Sequence, residues 1–271
     1  MTRGAGGFFG QVVTPTTASA SGIWKMPEVE LYRRQGVWPQ AAAAAGGGAS
    51  GTASTKLLLH FDSTGDPWLD SSPSARTITA GSIYYPSLDA MTYQKFGAGS
   101  AEFSDNTGSY LDAASSADFD WSTGDAVIEC WARPTTADPS VCVWRTENSS
   151  GDYCKLLVEN GFAVKLSRGS VGGTSVLPSA DVNWGSFSVW RHAAVVKSGS
   201  TTSFYVDGAR INFSSSFAWP TGNCSFRIGA DESGGIPFVG HIDEFRITRG
   251  SDLGYTGSTI TVPTAAFANS P

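Results

Sequence analysis

The chain has 271 residues, 41% of them hydrophobic and 15% charged, enough to bury the core of one large β domain or two smaller units. A formal net charge of −6 argues against a basic surface for nucleic acid or anionic membrane. No run of about 18 apolar residues is present, and the opening MTRG is not followed by the apolar stretch of a secretory signal, so neither membrane insertion nor the usual export route is expected.

Residues 1–40 are irregular but hold Phe8, Phe9, Trp24, Leu31, Tyr32 and Trp38. These are too many large apolar groups for an inert tail, and Gly and Pro interrupt them too often for a separate core. An arm that docks on a partner through these six side chains accounts for them. The segment MPEVELYRRQG (26–36) comes nearest to a helical period. Residues 41–55, AAAAAGGGASGTAST, have nothing to bury and predict a flexible linker spanning about 20 Å.

From residue 56 to 250 the pattern is repeatedly that of antiparallel β structure. LLLHFD (57–62), KFGAGSAEF (95–103) and VIECWARP (127–134) are candidate strands. In KLLVENGFAVKL (155–166), Asn160-Gly161 predicts a two-residue turn that sets Leu157 opposite Val164. WRHAAVV (190–196) alternates, with His192, Ala194 and Val196 on one face and Ala193 and Val195 on the other. FYVDG (204–208) ends in Asp207-Gly208, which folds the strand back along Ala209-Arg210-Ile211. A Gly-rich loop then separates SFRIG from GHIDEFRIT (240–248). About twelve strands predict two stacked sheets, with the tail 251–271 packing along the domain through its scattered Tyr, Ile, Val and Phe.

Cys130, Cys142 and Cys154 recur every twelve residues on three successive candidate strands, where a meander would set them side by side. Three in a row leave one over, and no signal peptide is evident, so reduced, half-buried thiols are expected. Zinc is not, because no CxxC pair occurs and only three histidines exist.

The order W-x-H-x-A (190–194), Y-V-D-G (205–208), I-G (228–229) and G-x-I-D-E-x-R-I (240–247) resembles the laminin-G-like, concanavalin A-type jelly rolls found in many bacteriophage virion proteins. The resemblance covers residues 56–250. It implies an all-β, antiparallel two-sheet jelly-roll sandwich behind an irregular N-terminal anchoring arm. It further implies a non-enzymatic virion structural protein, a tail fibre or tail-associated adhesin whose lectin-like domain binds host surface glycan. A capsid decoration protein is the alternative, followed by a free glycan-binding module or a glycosidase. The partners expected are other virion proteins through the arm and further copies of the chain, a trimer foremost. Assembly would take place in the host cytoplasm, and the virion would be the final location.

Glycosidases of this superfamily carry E-x-D-x-x-E or E-x-D-x-E, and neither spacing occurs here. Asp243 and Glu244 are adjacent and are expected on opposite faces of a strand, while Glu129 stands alone. His60, His192 and His241 lie within strand motifs, and His192 reads as a hydrogen-bonded sheet residue. No catalytic residue is expected. First and last strands are neighbours in this family, so Asp62 and Asp243, helped by Asp66 and Asp70, are the candidate ligands for a calcium ion. The alternative is that Asp62 and Asp243 cap turns or pair with Arg246. Sugar stacking would use an exposed aromatic face, with Trp68, Trp121, Trp184 and Trp219 as the loop candidates.

Overall fold

The computed structural model describes residues 55–269, apart from 64, 82–85, 91, 107, 137–139, 160–162, 171–172, 178–183, 185 and 233–234. The expected docking arm, with Phe8, Phe9, Trp24, Leu31, Tyr32 and Trp38, lies outside the described residues, as does nearly all of the linker.

Among the described residues the strands in chain order are β1 (Thr55–Leu59), β2 (Ile78–Ala80), β3 (Ser87–Asp89), β4 (Ser100–Phe103), β5 (Leu111–Ser116), β6 (Ala126–Pro134), β7 (Ser140–Asn148), β8 (Tyr153–Glu159), β9 (Val164–Ser170), β10 (Gly173–Leu177), β11 (Arg191–Ser198), β12 (Thr201–Val206), β13 (Ala209–Ser214), β14 (Cys224–Ile228) and β15 (Gly240–Arg249). They form two antiparallel sheets. The first runs β13-β12-β11-β6-β15-β4-β3, with β1 also on β15; the second runs β10-β9-β8-β7-β14-β5-β2. The protein is an all-β, jelly-roll sandwich. β15 is the spine of the first sheet: β6 pairs along one side, and β4 and β1 share the other.

Alternation places the core. Leu57, Leu59, Ile128, Val195, Phe245 and Ile247 from the first sheet meet Leu111, Val143, Leu156, Val158, Phe226 and Ile228 from the second. The first sheet is buried on its outer face as well. Val127, Ala194, Val196 and Tyr205 form a second apolar cluster with Tyr255 of the tail. The tail is tied down by Tyr205 Oη donating to the carbonyls of Tyr255 (3.1 Å) and Gly257 (2.9 Å), and by Ile260 N–H donating to Gly208 O (2.8 Å). Burial on both faces is why β6 reads AVIECWARP, with no exposed position.

Three local expectations change. Cys130 lies on β6 in the first sheet, whereas Cys142 and Cys154 lie on β7 and β8 in the second, so the three do not share a meander. The chain crosses between sheets after β6, a choice that strand periodicity does not encode. The β8–β9 register is also shifted: Val158 pairs with Val164 and Leu157 with Lys165, and Glu159 N–H donates to Ala163 O. Cross-strand partners share a face, so this register sends Leu156, Val158, Val164 and Leu166 together into the core. Pairing Leu157 with Val164 would have turned one of them outward. Finally, Asp243 and Glu244 do not face opposite ways. Ile242 and Phe245 both enter the core, Asp243 pairs with Trp131 and Arg246 with Glu129, and Glu244 takes φ 50°. That bulge turns both carboxylates to the outer face. The Asp207-Gly208 hairpin forms as expected, with φ 46° and 81° and Val206 paired to Ala209.

Candidate functional site

The outer face of the second sheet is charged. Register aligns Thr79 of β2, Asp112 of β5, Arg227 of β14, Arg145 of β7 and Lys155 of β8 in one cross-strand row. Each points outward because its neighbours in the strand point inward. Phe226 and Ile228 flank Arg227 in the core, and Thr146 beside Arg145 accepts from the indole N–H of Trp121 (2.9 Å).

Two arginines directly opposite one another destabilise a sheet unless their charge is met. Here each has its own carboxylate. Arg227 donates through Nε and Nη2 to both oxygens of Asp112 (2.7 and 2.8 Å). Arg145, 5% exposed, pairs with Glu147 (2.9 Å) and reaches Glu232 (3.7 Å). Lys155 pairs with Asp231 (3.2 Å). The guanidinium groups also lie on tyrosine rings, Arg227 at 3.8 Å from Tyr110 and Arg145 at 4.1 Å from Tyr153. Tyr110, Asp112, Arg145, Glu147, Ser225 and Arg227 line a groove of about 710 Å³, within the roughly 300–1,000 Å³ of small-ligand sites. Its walls present fixed donors and acceptors beside the Tyr110 ring, a surface matched to hydroxyl-rich ligands.

The candidates read from sequence fall elsewhere. Trp121 and Trp184 are wholly buried and Trp219 is 7% exposed. Trp121 packs against Phe119, Trp219 and Phe226, and Trp219 donates to Thr202 Oγ1 (2.9 Å). They are core residues, so the expected stacking role does not hold for them. Trp68 is half-buried, edge-on to Phe61. Asp62 and Asp243 hold one loop between them. Asp62 accepts from the N–H groups of Ala98 and Gly99, and Asp243 from those of Lys95 (2.8 Å) and Phe96 (3.0 Å). Burial pushes the Asp243 carboxyl up to about 7, against the pull of the Phe96 amide. Asp66 caps its own turn, and Asp70 accepts from Leu58, Ser72 and Arg76 N–H groups. Among the described residues no group of three or more His, Cys, Asp or Glu converges on a cation position. Arg246 pairs with Glu129, not with either aspartate, and His192 Nε2 lies 3.1 Å from the same carboxylate.

Reading the sequence for tryptophans passed over Tyr110, Tyr153, Asp112, Arg145, Glu147 and Arg227. The usable signal was arginine at the outward phase of two short apolar strands, VWRTE and SFRI.

A profile of the family described as the concanavalin A-like lectin/glucanases superfamily matches residues 105–251, more than half of the chain. The chain belongs to this superfamily. Among solved superfamily-like folds it is similar to domain 4 of AbnA, an extracellular GH43 arabinanase from Geobacillus stearothermophilus, in complex with arabinotriose. That likeness has TM-score 0.58 at 17% identity, over 79% of this chain and 96% of that one. The binding domain of Paraclostridial Mosquitocidal Protein 1 matches with TM-score 0.56 at 14% identity, over 72% of this chain and 49% of that one. The binding domain of botulinum neurotoxin serotype G gives 0.55 at 15%, over 74% and 49%. The chain thus spans about half the length of those toxin binding domains. At these identities the shared property is the fold. No curated protein matches the chain by sequence.

Proposed function

We propose that this superfamily member is a non-catalytic glycan-binding domain whose site is the groove across β2, β5, β14 and β7. The observation that carries the reading is the groove itself, where guanidinium–carboxylate pairs stand beside Tyr110. Such pairs offer rigid donors and acceptors to adjacent hydroxyls, and the Tyr110 ring offers a surface to the CH face of a sugar. Support for a non-catalytic role comes from the pairing of Asp112 and Glu147 with arginine. A glycosidase needs two carboxyl groups flanking the scissile bond, and Asp112 and Glu147 are taken up by guanidinium groups. The arabinotriose bound to the AbnA domain is consistent with sugar recognition on this fold.

In the wider assembly the domain acts as the outward part of a phage tail fibre or tail-associated adhesin, attached through residues 1–40. This rests on the motif order shared with virion jelly rolls and on the aromatic-rich opening before an Ala/Gly/Ser stretch. The test has two arms. Native affinity electrophoresis in host surface polysaccharide should retard the protein, with no new reducing ends, and Arg227→Ala should abolish retardation. Unchanged retardation of Arg227→Ala would refute the groove, and accumulating reducing ends would refute the non-catalytic reading. Separately, protein beginning at Lys56 should stay folded but be absent from purified virions; normal incorporation refutes attachment through the arm.

A further inference from the structure

The groove does not end at the edge of its sheet. β2 is the edge strand, paired only to β5. Beyond it lies a second cavity of about 250 Å³, and Thr77 lines both. The four strands under the first cavity already span about 14 Å at the usual strand spacing, and the second cavity prolongs that path.

The second cavity adds an aromatic and aliphatic surface to the path. Two of its charged groups are engaged within the protein. Asp70 accepts three backbone N–H groups, and Arg76 is ion-paired to Asp118 and lies over Phe119. Beside exposed Asp66 and Thr77, the cavity is lined by the apolar side chains of Trp68, Leu69, Ala75 and Ile78. Leu69 is 53% exposed beside half-buried Trp68, so the two present one apolar surface. The loop presents these residues by design of its turn. Asp66 Oδ1 accepts from Trp68 N–H (3.2 Å) and Asp66 O from Leu69 N–H (3.3 Å).

We propose that the groove continues past β2 into the Trp68–Leu69 cavity and takes an internal stretch of an uncharged, linear polysaccharide. The inference rests on the glycan-binding reading of the first cavity. Polar pairs there hold hydroxyls, and the Trp68–Leu69 surface takes the apolar face of a further sugar unit. The path is open past the edge strand, so a chain can run through it rather than end in it. Charge sets the class of polymer. Arg76, Arg145 and Arg227 line the two cavities against Asp66, Asp70, Asp112, Glu147 and Glu232, so a polyanion would meet excess like charge.

Size-graded fragments of an α-arabinan, a β-galactan and a dextran are the probes, with polygalacturonate as the charged control. Wild-type affinity for at least one neutral series should rise with length and then level off. Trp68→Ala should weaken only the longer fragments, by roughly tenfold, the size of a good stacking contact. Leu69→Asn changes an exposed side chain and decides the matter if Trp68→Ala does not fold. Affinity independent of length, or equal loss at every length, overturns the extension while leaving the first cavity standing. Tighter binding of polygalacturonate overturns the neutral-polymer assignment. Undiminished binding at all lengths by Arg227→Ala, or no binding of any probe, overturns the glycan-binding reading beneath it.

Discussion

Glu129 is the group whose removal should damage this fold most. It lies on the outer face of β6, 1% exposed, under the C-terminal tail, and meets Arg246 and His192, which are 1% and 0% exposed. Arg246 Nε donates to Glu129 Oε1 at 2.9 Å, and His192 Nε2 is 3.1 Å from Oε2. Glu129→Ala takes the carboxylate away from a guanidinium in a dry layer, which costs about 3–5 kcal/mol. Acid gives a second measure. Burial opposes the anion, but Arg246 and then His192 overcome it and bring the carboxyl from 4.5 to about 2. That depression is worth about 3 kcal/mol. Because the folded value is the lower one, the contribution is complete above about pH 4.5 and fades as pH falls toward 2. Urea unfolding at pH 7 and pH 3 should show a smaller acid loss for Glu129→Ala than for the wild type. A Glu129→Leu/Arg246→Met double variant should recover much of the loss at pH 7, since it leaves no unpaired charge. A Glu129→Ala protein within about 1 kcal/mol of wild type, or one with the same acid sensitivity, would refute the reasoning.

Gly208→Ala should unfold at lower urea than Gly222→Ala. Both sit at positive φ (81° and 79°), but a Cβ at 208 would come 2.6 Å from Ile260 O, whereas nothing lies near 222. Strain at positive φ, about 1–3 kcal/mol, is common to both, so the gap between them reads the tail contact, and equal midpoints would deny it. The four cysteines are free and buried, and burial raises all four thiols, Cys142 to about 12 and Cys224 to about 11. Thiol reagent at pH 8 should find none in the native protein and four in guanidinium; rapid native reaction would contradict the packing. Chelator should leave the melting temperature unchanged, because backbone N–H groups satisfy Asp62 and Asp243; a drop on chelation would restore them as cation ligands.

The sequence alone settled what neighbouring residues settle. Alternation in WRHAAVV and GHIDEFRIT marked strands, and Asp207-Gly208 supplied the two positive φ angles of its hairpin, because pleat and turn depend on a few adjacent residues. The order of motifs was enough for the sandwich. Contacts between distant residues decided the rest. Cys130 parted from Cys142 when the chain changed sheets, and the expected Leu157–Val164 pairing gave way to a register that keeps Val158 and Val164 in the core, while Asn160-Gly161 lies outside the described residues. Glu244 joined Asp243 on one face through a bulge with no local signature. Trp121 became core because Phe226 and Thr146 close around it, residues far from it in sequence. The candidate site exists only through register: Asp112, Arg145 and Arg227 come from three strands, and pairing energy, set by the whole core, decides that their side chains stand in one row.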